Sequence, residues 1–276
     1  RSNRAIQLLG GRTGLRNLGN TCYLNSLFQA LTHVPILQQY YCTELVGILG
    51  GAPPERNETP FVKVDTDDPA LLSKQLVVLF QLMCGDGHPS HTPHELVAAV
   101  WACCPQFHGF RQHDSQELLL AVLDRLRQEE KFLVSRGQTP SNVVDELFQG
   151  RTATELRFKH RDGTKLSKTD FIGSITIEIP KASHGAVYQA GGGSSGGRSR
   201  GRRRNNCAPC SVEGCLRRST EPVVLDGNDT YATMQQCYAN LPSVLVIHIN
   251  RTDWMRGMKK IAAHVGFPFR GLNMAG

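Results

Sequence analysis

The chain has 276 residues, 40% of them hydrophobic, and carries a formal net charge of +7. Its length is sufficient for a large core without disulfide bridges, and its hydrophobic content is ordinary for a folded domain, which excludes a disordered chain. No apolar run reaches the ~18 residues that a transmembrane helix needs, and the first residues lack the apolar core of a secretory signal.

The cysteines are nine in number and scattered, so they do not indicate a disulfide framework. Cys103 and Cys104 are adjacent, and Cys207 and Cys210 have a CxxC spacing. Scattered cysteines without an export signal are typical of reduced thiols in a reducing compartment. We therefore expect a cytoplasmic or nuclear protein.

The first half of the chain has the patterning of helices. After Thr21, apolar residues recur with i, i+3, i+4, i+7 spacing, and Pro35 lies beyond the expected end of this helix. Residues 50–69 predict a loop, and Leu71–Met83 predicts a second helix. The apolar residues of the first helix are Leu24, Leu27, Phe28 and Leu31.

Two further helices have start signals. Thr92 is predicted to cap a helix with Pro93 in its first turn and Glu95 completing a capping box. Asp114 and Glu117 repeat that pattern before an apolar stripe. The stripe consists of Leu118, Val122, Leu123 and Leu126.

The second half changes to strand patterning. Ile175, Ile177 and Ile179 alternate with polar residues, as in a half-buried strand, and the apolar run 244–249 favours a buried strand. Between them, residues 182–206 are rich in Gly, Ser and Arg and predict a disordered insertion. Helices followed by strands indicate an α+β fold.

Cys22 stands at the entrance of the first predicted helix. The unpaired N–H groups and the positive end of the helix dipole favour a thiolate there, the nucleophilic form of cysteine. Gly19 permits a bend and a close approach, and the Asn17 amide is placed to donate a hydrogen bond to an oxyanion. The alternative is a buried, inert cysteine, with Asn17 and Asn20 capping turns.

Several ordered blocks decide between these interpretations. GLRNLGNTCYLNSLFQAL (14–31) resembles the cysteine box of the ubiquitin-specific proteases, the papain-like cysteine deubiquitinases. GFRQHDSQELL (109–119) is similar to the family's QHD-box, LPSVLVIHINR (241–251) to a late strand motif, and FPFRGLNM to the strand after it. The resemblance implies a papain-like fold with a helical thumb and β-rich fingers and palm.

The resemblance also assigns roles to individual residues. It implies that Cys22 is the nucleophile attacking the carbonyl after the last glycine of ubiquitin, and that Asn17 contributes to the oxyanion hole. It places Gln112 and Asp114 among the residues that bind the ubiquitin tail. Asp114 and Glu117 are also expected to cap a helix, and the two roles of Asp114 stand side by side.

The family's catalytic histidine has no counterpart in the sequence. It belongs to a late motif followed by an orienting Asn or Asp, whereas His248 lies in a strand motif and His264 occurs too early. We expect the histidine beyond residue 276. The resemblance then divides the chain into an N-terminal extension (1–13) and an incomplete catalytic domain (14–276), with a thumb (14–150) and fingers with part of the palm (151–276). The alternative is a catalytically dead pseudo-deubiquitinase that binds ubiquitin or acts as a scaffold.

A zinc site is not expected. Many family members hold zinc with two CxxC knuckles, but FKHRDG (158–163) contains no cysteine and ATMQQCYANLP (232–242) has no CxxC. Cys207 and Cys210 occur too early, and Cys215 matches a non-ligand position. We predict no metal and no cofactor. Four further cysteines, Cys42, Cys84, Cys103 and Cys104, are expected in the core.

The predicted partners are ubiquitin and ubiquitinated proteins, with no membrane partner. The positive charge comes largely from Arg198, Arg200, Arg202, Arg203 and Arg204 in the Gly/Ser-rich insertion. These arginines have no interleaved aromatic residues for base stacking, so a solvated insertion is preferred to a nucleic-acid-binding segment. An RNA-binding role would predict salt-dependent binding that is lost when residues 198–204 are deleted.

Overall fold

The computed structural model of the protein describes residues 13–50, 64–85, 89–139, 142–158, 165–180, 210–227, 230–253, 257 and 259–274. The chain divides into two compact units, Arg1–Glu146 and Leu147–Gly276. Within the described ranges, no helix is both long and apolar enough to cross a membrane. The predicted insertion 182–206 lies outside the described residues.

The first unit is built from helices. They are α1 (Cys22–Leu31), α2 (Pro35–Gln39), a π-helical turn (Tyr40–Glu44), α3 (Leu45–Leu49), α4 (Leu71–Cys84), α5 (His94–Cys103), a 3-10 turn (Pro105–Phe107), α6 (Ser115–Ser135) and α7 (Val143–Phe148), which crosses the boundary between the units. Two short parallel strands, β1 (Gly14–Leu15) and β2 (Ser90–His91), pair near the start of α1.

The helices predicted at 22–31 and 71–83 are confirmed within one residue. Leu24 and Phe28 of α1 are completely buried, and the apolar stripe of α6 is buried as its spacing predicts. This arrangement follows from the period of 3.6 residues, which places the stripe on one face. Pro35 lies beyond the end of α1 as expected, and it begins the next helix, because its fixed φ suits a first helical position.

The N-cap predicted for α5 is wrong. Pro93 occupies the N-cap position, and no side chain caps the helix. The Thr92 carbonyl accepts a hydrogen bond from the His94 N–H at 3.0 Å. Thr92 therefore forms a tight turn through its backbone carbonyl. It lies one residue before the N-cap position, from which a hydroxyl could cap the helix.

Two neighbouring glutamates of α6 cap other helices through tertiary contacts. The buried Glu129 carboxylate accepts hydrogen bonds from the Leu72 N–H (3.1 Å) and the Ser73 N–H (2.7 Å) in the first turn of α4. The buried Glu130 carboxylate accepts one from the Val144 N–H (3.0 Å) in the first turn of α7. Each carboxylate accepts hydrogen bonds from first-turn N–H groups, which have no partner within their own helix.

The second unit consists mainly of strands. They are β3 (Gly150–Phe158), β4 (Lys165–Ile172), β5 (Ile175–Glu178), β6 (Cys210–Ser211), β7 (Val223–Gly227), β8 (Thr230–Asn240), β9 (Ile247–Asn250), β10 (Thr252–Asp253), β11 (Lys259–Lys260) and β12 (Val265–Gly266), with one helix, α8 (Val212–Ser219). An antiparallel sheet has the order β4-β3-β8-β7, and β5 pairs in parallel with β9.

The strand predicted around Ile175 is confirmed. Ile175, Ile177 and Ile179 are buried and pack with Val212, Cys215, Leu216 and Val265. The strand predicted at 244–249 is shorter and begins at Ile247, and its residues are half-buried. The expectation of full burial is wrong here, because β9 has one strand neighbour in the described part of the chain.

The expected burial of four cysteines holds for one of them. Cys104 is buried, whereas Cys42, Cys84 and Cys103 are half-buried. Cys84 and Cys103 are the last residues of α4 and α5, and Cys42 lies in the π-helical turn. Helix ends border loops, so residues there remain partly accessible even on helices with buried faces.

Candidate active site

Cys22 is the first residue of α1 and is exposed. The first hydrogen bond at the start of this helix joins the Asn25 N–H to the Thr21 carbonyl at 2.9 Å. The N–H groups of Cys22 and the next two residues therefore precede the hydrogen-bonded ladder. This position offers a sulfur atom that is accessible to substrate and lies at the positive end of a helix.

The loop before Cys22 is organised by the Asn17 side chain. Its Oδ1 atom accepts hydrogen bonds from the Gly19 N–H, the Thr21 N–H and the Thr21 hydroxyl, each at 3.0 Å. Two backbone donors fix the orientation of the amide, because only an oxygen can accept from them. The Asn17 residue is exposed, and its Nδ2 group has no hydrogen-bond partner among the described residues.

Gly19 and Asn20 give the loop its bend. Both have a positive φ, 106° for Gly19 and 54° for Asn20, a region that these two residue types tolerate best. The bend directs the Asn20 Nδ2 group to the Phe110 carbonyl at 3.0 Å. The segment around Phe110 is thereby attached to the cysteine loop.

A second hydrogen bond attaches the other end of that segment. The Ser115 hydroxyl donates to the carbonyl of Tyr23, the residue after Cys22, at 3.2 Å. Residues 110–115 are thus tied to the cysteine loop at both ends. The structure brings Gln112 and Asp114, which are both exposed, to the same region as Cys22 and Asn17.

Asp114 caps α6. Its Oδ1 atom accepts hydrogen bonds from the Gln116 N–H (2.6 Å) and the Glu117 N–H (3.3 Å), as the sequence predicts. Both bonds use one carboxylate oxygen, and within the described ranges Oδ2 has no hydrogen-bond partner. The imidazole of His113 packs between the rings of Tyr23 and Phe107, with centroid distances of 5.2 and 5.3 Å.

Two residues that hold the site are not predicted from the sequence. The Thr21 hydroxyl, buried between Asn17 and Leu18, accepts from the Leu18 N–H at 2.9 Å. The Asn25 amide donates to the carbonyls of Leu15 and Arg16, at 3.2 and 3.0 Å. Asn20, expected only to cap a turn, bonds instead to the distant Phe110 carbonyl. The density of Asn and Thr within residues 17–25 is the signal that identifies such a bonded loop.

The structure also bears on the CxxC motif. Among the described residues, no group of three or more His, Cys, Asp or Glu side chains is placed to bind a metal. The Cys210 thiol lies 3.7 Å from the His264 carbonyl, and Cys215 is buried in the core of the second unit. Cys207 lies outside the described residues.

The family comparison agrees with this geometry. The model of the family described as "Ubiquitin carboxyl-terminal hydrolase" matches residues 13–276. The chain belongs to this family. Ubiquitin carboxyl-terminal hydrolases include the ubiquitin-specific proteases, so the resemblance carried by the cysteine and QHD boxes is confirmed.

The chain aligns with only part of the length of individual relatives in this family. Ubiquitin carboxyl-terminal hydrolase 51 from Mus musculus is 26% identical over 275 residues, which cover 94% of this chain and 38% of that protein. Ubiquitin carboxyl-terminal hydrolase 3 from Homo sapiens is 26% identical over 296 residues, covering 95% and 54%. The chain thus spans about half the length of these relatives, or less.

The fold is shared with a solved structure. The structure of the SAGA Ubp8/Sgf11/Sus1/Sgf73 DUB module bound to ubiquitin aldehyde aligns with a TM-score of 0.67 and 17% sequence identity. The alignment covers 97% of this chain and 54% of the matched chain. The predicted α+β fold of a ubiquitin-specific protease domain is confirmed.

Proposed function

We propose that this protein is a cysteine deubiquitinase that hydrolyses the peptide or isopeptide bond after the C-terminal glycine of ubiquitin. The observation that carries the proposal is the pairing of an exposed cysteine at a helix N-terminus with an oriented amide donor. Membership of the family supplies the substrate class. The roles of Cys22, Asn17, Gln112 and Asp114 are part of the proposal.

In the first step, the Cys22 sulfur attacks the carbonyl carbon of the terminal glycine. The carbonyl oxygen becomes an oxyanion that the Asn17 Nδ2 group stabilises, because the loop holds this donor in position before substrate binds. Collapse of the tetrahedral intermediate expels the lysine or peptide amine and leaves a thioester. Attack by water then releases ubiquitin with a free carboxylate and restores the thiol.

A proton carrier is required in both steps. It accepts the proton of the thiol and delivers one to the departing amine, which is the work of a histidine in this class of mechanism. We propose a histidine beyond residue 276 for this role. His113 is not our candidate, because its ring is packed between the aromatic rings of Tyr23 and Phe107.

The ubiquitin tail is proposed to lie along residues 110–115. The free Oδ2 of Asp114 offers a negative charge to basic side chains of the tail, and the exposed amide of Gln112 offers a donor and an acceptor for its backbone. The two hydrogen bonds to Asn20 and Tyr23 hold this segment against the cysteine loop. The same hydrogen bonds therefore hold both the segment proposed to bind the tail and the loop that carries the proposed nucleophile.

The proposal is tested on the full-length protein with ubiquitin that carries a thiol-reactive electrophile at its C-terminus. We expect a covalent adduct on Cys22, identified by mass spectrometry, and none with Cys22→Ala. Cys237→Ala is the matched control, since Cys237 is also an exposed free thiol and lies on β8.

The remaining results discriminate between functions. Turnover of a ubiquitin–amide substrate together with the adduct supports the enzyme. Ubiquitin binding without an adduct in the folded protein contradicts it and supports the alternative, a catalytically dead ubiquitin-binding protein. An adduct that persists in Cys22→Ala contradicts the assignment of the nucleophile.

A further inference from the structure

An exposed aromatic ring lies beside the cysteine loop. Phe110 is 48% exposed, and in the described part of the first unit it is the only exposed Phe, Tyr or Trp. The sequence around it is polar, since residues 108–117 contain no other apolar side chain. An isolated apolar residue on a surface needs no explanation by itself. This ring differs because it is fixed in position next to the proposed reaction site.

Three contacts fix Phe110. Its carbonyl accepts a hydrogen bond from the Asn20 Nδ2 group at 3.0 Å. Its ring meets the ring of Trp101 edge to face, with centroids 5.1 Å apart and an interplanar angle of 81°. A Cβ atom added to Gly19 would lie 3.5 Å from the Cδ1 atom of Phe110, so the ring occupies the space next to the Gly19 backbone. Part of the ring is thus packed, and the rest is preorganised for a contact.

Gly19 connects the ring to the proposed oxyanion site. The Gly19 N–H donates to the Asn17 Oδ1 atom at 3.0 Å, and the Nδ2 group of the same amide is the proposed donor to the scissile carbonyl oxygen. The φ of 106° at Gly19 lies in the region that favours glycine, so the loop presents a bare backbone to the ring. Phe110 therefore borders the loop that is proposed to hold the scissile bond.

The two sides of that bond differ in chemistry. On the ubiquitin side, the terminal glycine has no side chain to pack on a ring, and the proposed contacts of the tail, Gln112 and Asp114, are polar. On the other side, an isopeptide bond joins the carbonyl to a lysine side chain. The methylene groups of that lysine are the apolar surface nearest to the reacting carbon, and such stems pack along apolar surfaces. The chemistry therefore favours the leaving group as the partner of the ring.

We propose that Phe110 is a specificity-determining residue that packs on the aliphatic stem of the lysine in the leaving group. The inference rests on the proposed deubiquitinase function and adds a preference for amides of lysine over amides without a stem. The contact orders the leaving group beside the oxyanion donor, so it raises kcat/KM for isopeptide substrates.

The test compares two substrates that share ubiquitin and differ in the leaving group. In one, the terminal carboxyl of ubiquitin is joined to the ε-amine of N-acetyl-lysine amide. In the other it is joined to methylamine, also an alkyl amine but without the stem. We measure kcat/KM for both with the full-length protein. We expect Phe110→Ala to lower the ratio of kcat/KM, lysine amide over methylamide, by ~5–10-fold, the usual effect of losing a few methylene contacts.

Further variants separate the contact from folding. Phe110→Tyr keeps the ring and is expected to retain the wild-type ratio. Phe110→Leu keeps an apolar side chain, so its ratio lies between those of wild type and Phe110→Ala. Ile36→Ala is the matched control, because Ile36 is 49% exposed and lies in α2, past the C-terminal end of the helix that Cys22 begins. Melting curves establish that each variant is folded.

The outcomes distinguish this inference from the proposed function. If Phe110→Ala lowers kcat/KM equally for both substrates, or lowers neither, the inference is overturned and the deubiquitinase function stands. An equal loss shows that the ring only supports the loop. A ratio that rises in Phe110→Ala also overturns the inference, since the ring then disfavours the stem. A folded wild-type protein that hydrolyses neither substrate overturns the proposed function, and the inference with it.

Discussion

At the scale of single residues, Asn17 has an observed structural function and a proposed catalytic one, which use different atoms of one amide group. Its oxygen organises the loop through three hydrogen bonds, and its nitrogen is the proposed oxyanion donor. The two functions use different atoms, so they are separable by substitution. Substitutions that remove one atom at a time therefore show whether Asn17 only holds the loop or also acts in catalysis.

Asn17→Asp keeps an oxygen acceptor for Gly19 and Thr21 and removes the Nδ2 donor. We expect kcat to fall by ~10²–10³-fold, the usual effect of losing one oxyanion donor, with an unchanged melting temperature. Asn17→Ala loses the acceptor as well, so its melting temperature falls too. Steady-state kinetics with a ubiquitin–amide substrate and thermal melts check both. Equal kcat values for wild type and Asn17→Asp would contradict the oxyanion role.

At the scale of elements, the N-terminus of α6 joins a structural cap to a proposed binding group. Asp114 accepts hydrogen bonds from two amides of the first turn with Oδ1, and Oδ2 is the atom proposed to meet the ubiquitin tail. The start of α6 is also bonded to α1 through the Ser115 hydroxyl. Substitutions that keep the cap and remove the charge therefore report on binding alone.

Asp114→Asn retains the cap, because asparagine caps as well as aspartate. We expect its KM for a ubiquitin substrate to rise ~5-fold or more, equivalent to about 1 kcal/mol, while its stability stays unchanged. Asp114→Ala shows the same loss of binding and a further loss of ~1 kcal/mol in stability. If Asp114→Asn leaves KM as in wild type, Asp114 acts as a cap only.

Glu130 gives the connection between α6 and α7 a dependence on pH. Burial raises the pKa of Glu130 from its ordinary value near 4.5 to about 7. The folded state thus favours the protonated side chain. The contribution of protonated Glu130 to the free energy of unfolding is complete below pH ~4.5 and is lost as the pH rises through about 7.

Glu130→Gln removes this titration while preserving an oxygen for the Val144 N–H. We expect the wild-type free energy of unfolding to fall with rising pH relative to the variant, by up to about 3 kcal/mol over that range. Urea unfolding at several pH values measures the difference. Glu117→Gln, at an exposed position of the same helix, is the control. Parallel pH profiles of wild type and Glu130→Gln would refute the assignment.

At the scale of the whole molecule, long-range hydrogen bonds connect helices that are distant in the sequence. Glu129 accepts bonds from α4 residues 56 and 57 positions earlier, including the Ser73 hydroxyl at 2.7 Å. Arg125 on the same helix donates to it at 2.8 Å. Removal of such a carboxylate leaves several buried donors unpaired, which is costly to the folded state.

Glu129→Gln replaces one acceptor oxygen with an NH₂ group that faces N–H donors. We expect the free energy of unfolding of the protein to fall by ~2–3 kcal/mol, the cost of leaving buried donors unpaired. Urea denaturation measures this loss, and Glu117→Gln again serves as the matched control. A loss below ~0.5 kcal/mol, typical of a surface substitution, would show that the carboxylate is dispensable.

The sequence by itself determined features that depend on neighbouring residues. Helix periodicity placed α1 and α4, side-chain chemistry placed the cap at Asp114, and alternation placed β5. Short motifs around Cys22 and Asp114 determined the family. Each of these signals lies within a turn or two of the chain, where local geometry follows from residue type.

Only the tertiary structure decided which of these features meet. The bonds from Asn20 to Phe110 and from Ser115 to Tyr23, and the caps provided by Glu129 and Glu130, join residues far apart in sequence. No periodicity encodes such partners. The failed predictions have the same origin, since the backbone turn at Thr92 and the partial exposure of three cysteines depend on what packs around each helix end.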